Sequence, residues 1–157
     1  MTSMAMALAL VSGVTAPAQA TEPSATSAPA SQAAVQARQN ILGAWQIASL
    51  EQPGPDGQMQ TTPCCGLLTL TEDGHMAVQV MLPESMINAY SHGGYEASYG
   101  TFKMSPDGKS MVFHVDGALV RDLVGRDLPR AIRLEGNRLI ITSTNPAEHW
   151  RVVWQRP

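Results

Sequence analysis

His114 and Asp116 are the two side chains whose types and spacing best suit proton transfer. They lie two positions apart in the β-like run Ser110 to Gly117, so they share one strand face with their Cα atoms about 6.6 Å apart. A histidine can change its charge near neutral pH. That separation requires a further polar partner, such as Ser98 or Arg130, for a working dyad. The sequence therefore assigns no catalytic residue and leaves His114 and Asp116 as the candidates.

Arg130 is the candidate for binding an acidic group. Arg130 and Arg133 are three positions apart in one predicted strand, so they point to opposite faces. One of them can point inward, where it would bind a carboxylate or be neutralised by Asp116 or Glu96. The alternative is that both arginines are solvated.

The two cysteines, Cys64 and Cys65, are adjacent. They cannot link distant parts of the chain, and a bridge between neighbours needs a strained ring. A vicinal disulfide, an intermolecular bridge and a pair of thiols in a loop all stay open.

Other site classes lack their sequence signals. His75, His92 and His149 have no metal-ligand spacing, and neither a phosphate-binding loop nor a nucleophile elbow is present. We therefore expect no metal and no cofactor. The net charge is −3 with scattered basic residues, which argues against nucleic acid as a partner. No apolar run reaches the roughly 20 residues of a transmembrane segment.

Alternating hydrophobic runs must position these side chains. From Gly43 onward, period-two runs alternate with turns such as Asp73-Gly74, Asp107-Gly108 and Gly136-Asn137. Sequential hairpins of about eight strands close most naturally into an up-and-down antiparallel β-barrel. A two-sheet sandwich is the alternative. Three early runs centre on Trp45, Leu68 and Val78, and five later ones span 95–104, 110–117, 130–135, 138–144 and 149–156.

The hairpin 95–117 decides where His114 points. A five-residue loop, 105–109, predicts that Met104 pairs with Ser110 and His114 with Gly100. One face would then carry Phe102 and His114, and the other Tyr99 and Phe113. The count of apolar side chains favours the face with Tyr99 and Phe113 as the inward one. This count does not decide between the two faces, so the inward face stays open at this point.

Two long connections interrupt the meander. Residues 83–94 are long enough for a helical turn, and residues 116–129 carry several apolar side chains among Arg and Asp. Such loops either cover a functional mouth or plug one end of a barrel.

The N-terminal quarter, residues 1–38, differs in composition from the rest of the chain. Residues 1–20 are apolar and end in Pro17-Ala18-Gln19-Ala20, which is typical of a signal peptide, although no basic residue precedes the apolar stretch. A disordered Ala-rich leader is the alternative. Residues 21–38 predict a flexible Ala/Ser/Pro-rich linker, and 39–157 the domain. We expect export, to the periplasm or outside the cell.

Several of these motifs occur in an order that resembles the lipocalin-like domain family. Gly43-Ala44-Trp45 resembles its Gly-x-Trp first strand, where the Trp closes one end of the barrel. The segment 66–76 resembles its Gly-x-Leu-x-Tyr-x-x-Asp-Gly-x-Met hairpin, and 99–102 its Tyr-x-Gly-Thr-Tyr strand. Phe113-His114-Val115-Asp116 resembles its His-His-Val-Glu strand. The resemblance covers roughly residues 41–157 and implies a calycin-type barrel, with His114 lining a partly polar cavity.

Three functions follow as hypotheses. The first is a barrel that binds a small, mainly apolar molecule in its interior, as a monomer or homodimer. The second is a small isomerase, cyclase or hydrolase with His114 in the cavity, and the third is a structural or stress protein with a filled barrel. The expected lining comprises Trp45, Val78, Val80, Tyr99, Phe102, His114, Arg130 and Trp154.

Overall fold

The computed structural model describes residues 31–86 and 88–157 of the 157-residue chain. The predicted signal peptide, and the linker up to residue 30, lie outside the described residues. The described chain contains one α-helix, nine strands and one 3₁₀ turn. In chain order they are α1 (Gln32–Ile41), β1 (Gly43–Pro53), β2 (Met59–Thr62), β3 (Cys65–Leu70), β4 (His75–Met81), β5 (Tyr95–Met104), β6 (Ser110–Ala118), the 3₁₀ turn Arg121–Leu123, β7 (Asp127–Glu135), β8 (Arg138–Ser143) and β9 (Arg151–Gln155).

The strands form a closed antiparallel barrel, as the alternation predicts. Strands β1 and β3 to β9 pair sequentially, and β9 returns to pair with β1, so eight strands close the sheet. The short β2, which the sequence analysis did not place, forms a hairpin with the far half of β1. Closure leaves these eight strands without a free edge on which another chain could pair.

Helix α1 begins inside the segment that the sequence assigns to the linker. The Ser31 hydroxyl caps it by accepting a hydrogen bond from the Ala34 amide at 3.2 Å, and Ala34 and Ile41 are buried. The helix lies against the β5–β6 turn, where Ala33 and Ala37 contact Gly108. The linker prediction therefore runs too far at its C-terminal end, because a few small and apolar residues suffice to dock this helix on the barrel.

Trp45 and α1 close one end of the barrel. The Trp45 side chain is fully buried, and its indole N–H donates to the Ile41 carbonyl at 2.8 Å. The Arg156 guanidinium lies 4.2 Å from the centroid of a Trp45 ring and donates to the carbonyls of Asn40 and Leu42 at 2.8 and 3.1 Å. One arginine thus ties the end of β9 to β1 and to the helix.

The β5–β6 hairpin has a different register from the predicted one. Ser105 pairs with Ser110, since its amide donates to the Ser110 carbonyl at 2.8 Å, and Met104 pairs with Met111. The loop has four residues instead of five. A one-residue slip between two strands moves the side chains of one strand to the other face. The inward set therefore combines Phe102 of one predicted face with Phe113 of the other.

Candidate ligand-binding cavity

The barrel contains a cavity of about 250 Å³, open at the end opposite α1. Its walls come from the inward positions of the strands, where every second residue points to the interior. Most of the lining side chains are apolar: Ile47, Leu50, Leu68, Met76, Val78, Val80, Leu82, Phe113, Leu128, Ile141, Val152 and Trp154. Polar side chains concentrate near the mouth: Gln52, Asn88, Tyr90, Glu96, Ser98, Arg130 and Glu148.

The long connection between β4 and β5 covers this mouth. Its ends are tied by a hydrogen bond from the Leu82 amide to the Gly94 carbonyl at 2.7 Å. Tyr90 from this loop lines the cavity beside Trp150, which precedes β9. Of the two alternatives for such a loop, this connection covers a cavity mouth, because Asn88, Ala89 and Tyr90 line the cavity. The β6–β7 connection instead buries Leu123 in the core.

Arg130 is a buried cation in the cavity wall. Only 7% of its surface is exposed, because its position on β7 points inward opposite the buried Met111 of β6. Its guanidinium donates to the Pro129 carbonyl and to the Tyr90 hydroxyl, both at 3.1 Å. No carboxylate oxygen of the described residues lies within 4.0 Å of it. The alternative of two solvated arginines therefore holds for Arg133 alone.

Two aromatic rings hold the guanidinium in place. Its carbon lies 5.3 Å from the centroid of the Tyr90 ring and 4.9 Å from the centroid of a Trp150 ring, within the range of cation–π attraction. The two rings meet edge to face with centroids 6.2 Å apart. The Tyr90 hydroxyl and the Trp150 indole N–H both donate to Glu148, at 2.7 and 3.1 Å. The Arg130 guanidinium is thus oriented by the rings of Tyr90 and Trp150, and Glu148 in turn holds both rings through their polar atoms.

Glu96 is the second ionisable group of the cavity wall. It lies on the inward face of β5, opposite the buried Val80 of β4. Loss of solvent raises the pKa of Glu96 from its ordinary 4.5 to about 7, against the opposing effect of the Arg130 charge. Near neutral pH this carboxyl therefore exchanges a proton inside a mainly apolar space.

The expected lining residues fall into three groups. Val78, Val80, Arg130 and Trp154 line the cavity. Trp45 and Phe102 are buried, but they pack toward the end closed by α1. Tyr99 is 61% exposed on the outer face of the barrel, and His114 also points outward. The structure thus brings half of the predicted lining residues together in one site.

His114 belongs to a surface cluster of acidic residues. Its Nδ1 lies 2.7 Å from an Asp127 carboxylate oxygen, its Nε2 lies 3.8 Å from one of Asp116, and about half of the side chain is exposed. The β5–β6 register places it opposite Thr101 and not Gly100. The hypothesis of an enzyme with His114 in its cavity is contradicted, because the imidazole and the cavity are on opposite sides of the sheet.

The residues that sequence reasoning missed come mostly from loops. Tyr90 and Glu148 belong to connections, where no periodicity reports direction. For Tyr90, the one sequence signal is the unusual length of the connection 83–94 that contains it. Glu96 enters the sequence analysis only as a neutralising partner, because its inward position follows from the pairing of β5 with β4, where it lies opposite Val80.

Cys64 and Cys65 are both free thiols in the structure. Cys64 is partly buried and Cys65 is exposed. Burial, followed by the neighbouring Cys65, raises the pKa of the Cys64 thiol. Among the described residues, no three His, Cys, Asp or Glu side chains cluster as metal ligands would. The described helices include none with the length and hydropathy of a membrane span.

Comparison with known proteins adds a structural neighbour. No family model matches the sequence, and no curated protein does so either. An uncharacterised protein from Bacteroides eggerthii DSM 20697 has a solved structure that superposes with a TM-score of 0.45. Sequence identity is 12%, and the match covers 74% of this chain and 98% of that one. Similarity at this level carries no information about function.

Proposed function

We propose that this protein binds a small, mainly apolar molecule in the interior of its barrel. The observation that carries the proposal is the cavity of about 250 Å³ with mostly aliphatic and aromatic walls. Interiors of folded proteins are close-packed, with few voids larger than a water molecule. A space of this size therefore favours a binding protein over the hypothesis of a filled structural barrel.

The dimensions of the cavity favour a small ligand. Pockets for drug-sized molecules usually have about 300–1,000 Å³, and this one lies just below that range. The loop between β4 and β5 supplies a cover that encloses the ligand. The Leu82–Gly94 hydrogen bond joins the two ends of this loop at the rim of the barrel.

Membership of the lipocalin-like family and export from the cytoplasm belong to the same proposal. The motifs that carry the resemblance fall on β1, on the β3–β4 hairpin, on β5 and on β6. The N-terminal sequence pattern supports export. An exported barrel of this size suits a carrier or scavenger of a poorly soluble compound.

A cavity-filling variant tests the proposal. Val80 is buried and lines the cavity, whereas Val112 points outward from β6 with 39% of its surface exposed. We expect the neutral fluorophore N-phenyl-1-naphthylamine to bind the wild type and Val112→Trp alike. We expect Val80→Trp to bind it at least about tenfold more weakly, which is a change of about 1.4 kcal/mol.

Circular dichroism checks that the variants are folded, and Ser98→Phe provides a second filling variant at another wall position. Equal binding by the wild type and both filling variants would place the fluorophore outside the barrel and overturn the proposal. Native mass spectrometry of the purified protein adds an independent readout, since a retained small molecule should be lost selectively from Val80→Trp.

A further inference from the structure

We propose that the ligand of this cavity is a small monocarboxylic acid with an apolar tail, bound through its carboxylate by Arg130, and that Glu96 takes up one proton as the ligand enters. This inference rests on the proposed function and specifies the chemistry of its ligand. It is carried by the contacts of the Arg130 guanidinium and by the position of Glu96 in the same cavity.

Arg130 has hydrogen-bonding capacity that its own protein does not use. A guanidinium carries five N–H donors, and only the Pro129 carbonyl and the Tyr90 hydroxyl accept from it among the described residues. Three of the five guanidinium N–H groups therefore have no acceptor among the described residues, in a side chain that lines the cavity.

The chemistry of these donors selects the ligand group. No described carboxylate contacts the guanidinium directly, and a carboxylate matches the planar fork of an arginine by accepting two parallel hydrogen bonds. The rings of Tyr90 and Trp150 already fix the plane of the fork, so little ordering is left to do on binding. The apolar walls then accommodate the tail.

The charges of the groups that line the cavity determine which of them takes up a proton when the ligand binds. Four titratable groups line it: Arg130, Tyr90, Glu96 and Glu148. Desolvation raises the pKa of Glu148, but hydrogen bonds from Tyr90, Ser143 and Trp150, together with the Arg130 charge, outweigh this effect and lower it, so Glu148 is ionised. The pKa of Tyr90 is raised by burial and by its bond to Glu148, which keeps its hydroxyl protonated.

Glu96 is then the group that responds to the ligand. A ligand carboxylate at Arg130 cancels the cation that favours ionisation of Glu96 and adds a like charge to the same enclosed space. Both effects favour the protonated form of Glu96. Binding of the anion is therefore coupled to proton uptake, which approaches one proton above pH 7, and affinity for the anion should decrease as pH rises above about 7.

Isothermal titration calorimetry with octanoic acid and 1-octanol, which share a chain length, tests both parts. We expect the wild type at pH 6 to bind the acid at least about tenfold more tightly than the alcohol. Arg130→Met should bind the two alike, and Arg130→Lys should keep part of the preference. Between pH 6 and 8 the wild-type affinity for the acid should fall several-fold, whereas Glu96→Gln should keep the preference without the pH dependence.

The outcomes separate this inference from the proposed function. Equal affinity of the wild type for acid and alcohol, or a preference that survives in Arg130→Met, overturns the role of Arg130 while interior binding stands. A pH dependence that persists in Glu96→Gln overturns the role of Glu96. If neither octyl compound binds but N-phenyl-1-naphthylamine does, the ligand class is wrong. If Val80→Trp also leaves the fluorophore in place, the proposed function fails as well.

Discussion

The guanidinium of Arg130 lies 4.9 Å from the centroid of a Trp150 ring, inside a barrel where no described carboxylate pairs with it. The direct contacts of this cation are aromatic faces and neutral acceptors, and the nearest hydrogen-bonded carboxylate, Glu148, is reached only through the Tyr90 hydroxyl. This arrangement costs free energy in the empty protein, and the cost decreases when an anion arrives.

Replacement of Arg130 by Met should therefore stabilise the empty protein. The substitution removes a buried charge and retains a flexible side chain of similar length, so we expect the free energy of unfolding to increase by about 1–2 kcal/mol. Urea denaturation of the ligand-free protein measures it. A loss of stability would mean that the contacts with Tyr90 and Trp150 outweigh the desolvation cost, and that Arg130 has a structural role.

Glu96 should give the stability of the protein a distinctive pH dependence. Its pKa is about 7 in the folded state and about 4.5 in the unfolded chain, so between these values the folded state binds more protons. Stability should then decrease as pH rises from 4.5 to 7, by about 2–3 kcal/mol after allowance for screening by water in the cavity. Above pH 7 the effect is complete.

Other carboxylates titrate in the same window, so the comparison is with Glu96→Gln at each pH. The difference between the two proteins isolates the contribution of Glu96. A difference that stays constant from pH 4.5 to 7 would show that the pKa of Glu96 is the same in the folded and unfolded states, and that its carboxyl is hydrated in the folded state.

Arg156 should contribute more to stability than a typical exposed arginine. Its contacts with Trp45 and with two carbonyls at the end of α1 predict that Arg156→Ala costs about 1–2 kcal/mol. Arg133→Ala is the control, since this exposed side chain forms a surface ion pair with Glu135 at 3.0 Å and should cost at most about 0.5 kcal/mol. Equal losses in urea denaturation would contradict the role of Arg156 as a tie between β9 and the helix.

Neighbouring residues on β6 should differ strongly in the stability that their truncation costs. Phe113 is buried and lines the cavity, so Phe113→Ala should cost about 3–5 kcal/mol. His114 points outward to Asp127, so His114→Ala should cost less than about 1 kcal/mol and leave octanoic acid binding unchanged. Loss of binding in His114→Ala would contradict the register described for β5 and β6.

The two cysteines should differ in reactivity. Cys65 is exposed, whereas partial burial raises the pKa of Cys64, and the thiolate is the reactive form. Iodoacetamide at pH 8 should therefore alkylate Cys65 several-fold faster than Cys64, as peptide mass spectrometry would show. Equal rates for the two thiols in Cys64→Ser and Cys65→Ser would contradict this assignment.

The barrel was predictable because most of its strands alternate between buried and exposed residues and its turns contain residues suited to them. Strand β5 has the predicted bounds, and the other long strands differ by a few residues at their ends. The register of the β5–β6 hairpin was not predictable in this way. The Ser105 hydroxyl accepts from the Ser110 amide and extends the pairing by one residue toward Gly108, a local contact that a count of loop residues does not contain.

The cavity was predictable only in part. Alternation alone places Val78, Val80 and Trp154 on inward faces, and the same rule turns Arg130 inward once the register of β7 is known. Tyr90 and Glu148 reach the mouth from loops, and only tertiary packing determines their positions. Sequence reasoning thus found apolar walls of the cavity and Arg130, and missed Tyr90 and Glu148 at its mouth.

The pairing of β1 with β9 has a consequence for how the chain folds. Glu51 and Arg151 are hydrogen-bonded across this seam although they lie 100 positions apart. At synthesis rates of about 5–20 residues per second, roughly 5–20 s separate their emergence from the ribosome. During that interval the exposed edge of β1 can pair with other chains, so the yield of folded protein should depend on how concentrated the nascent chains are and on whether a chaperone protects that edge.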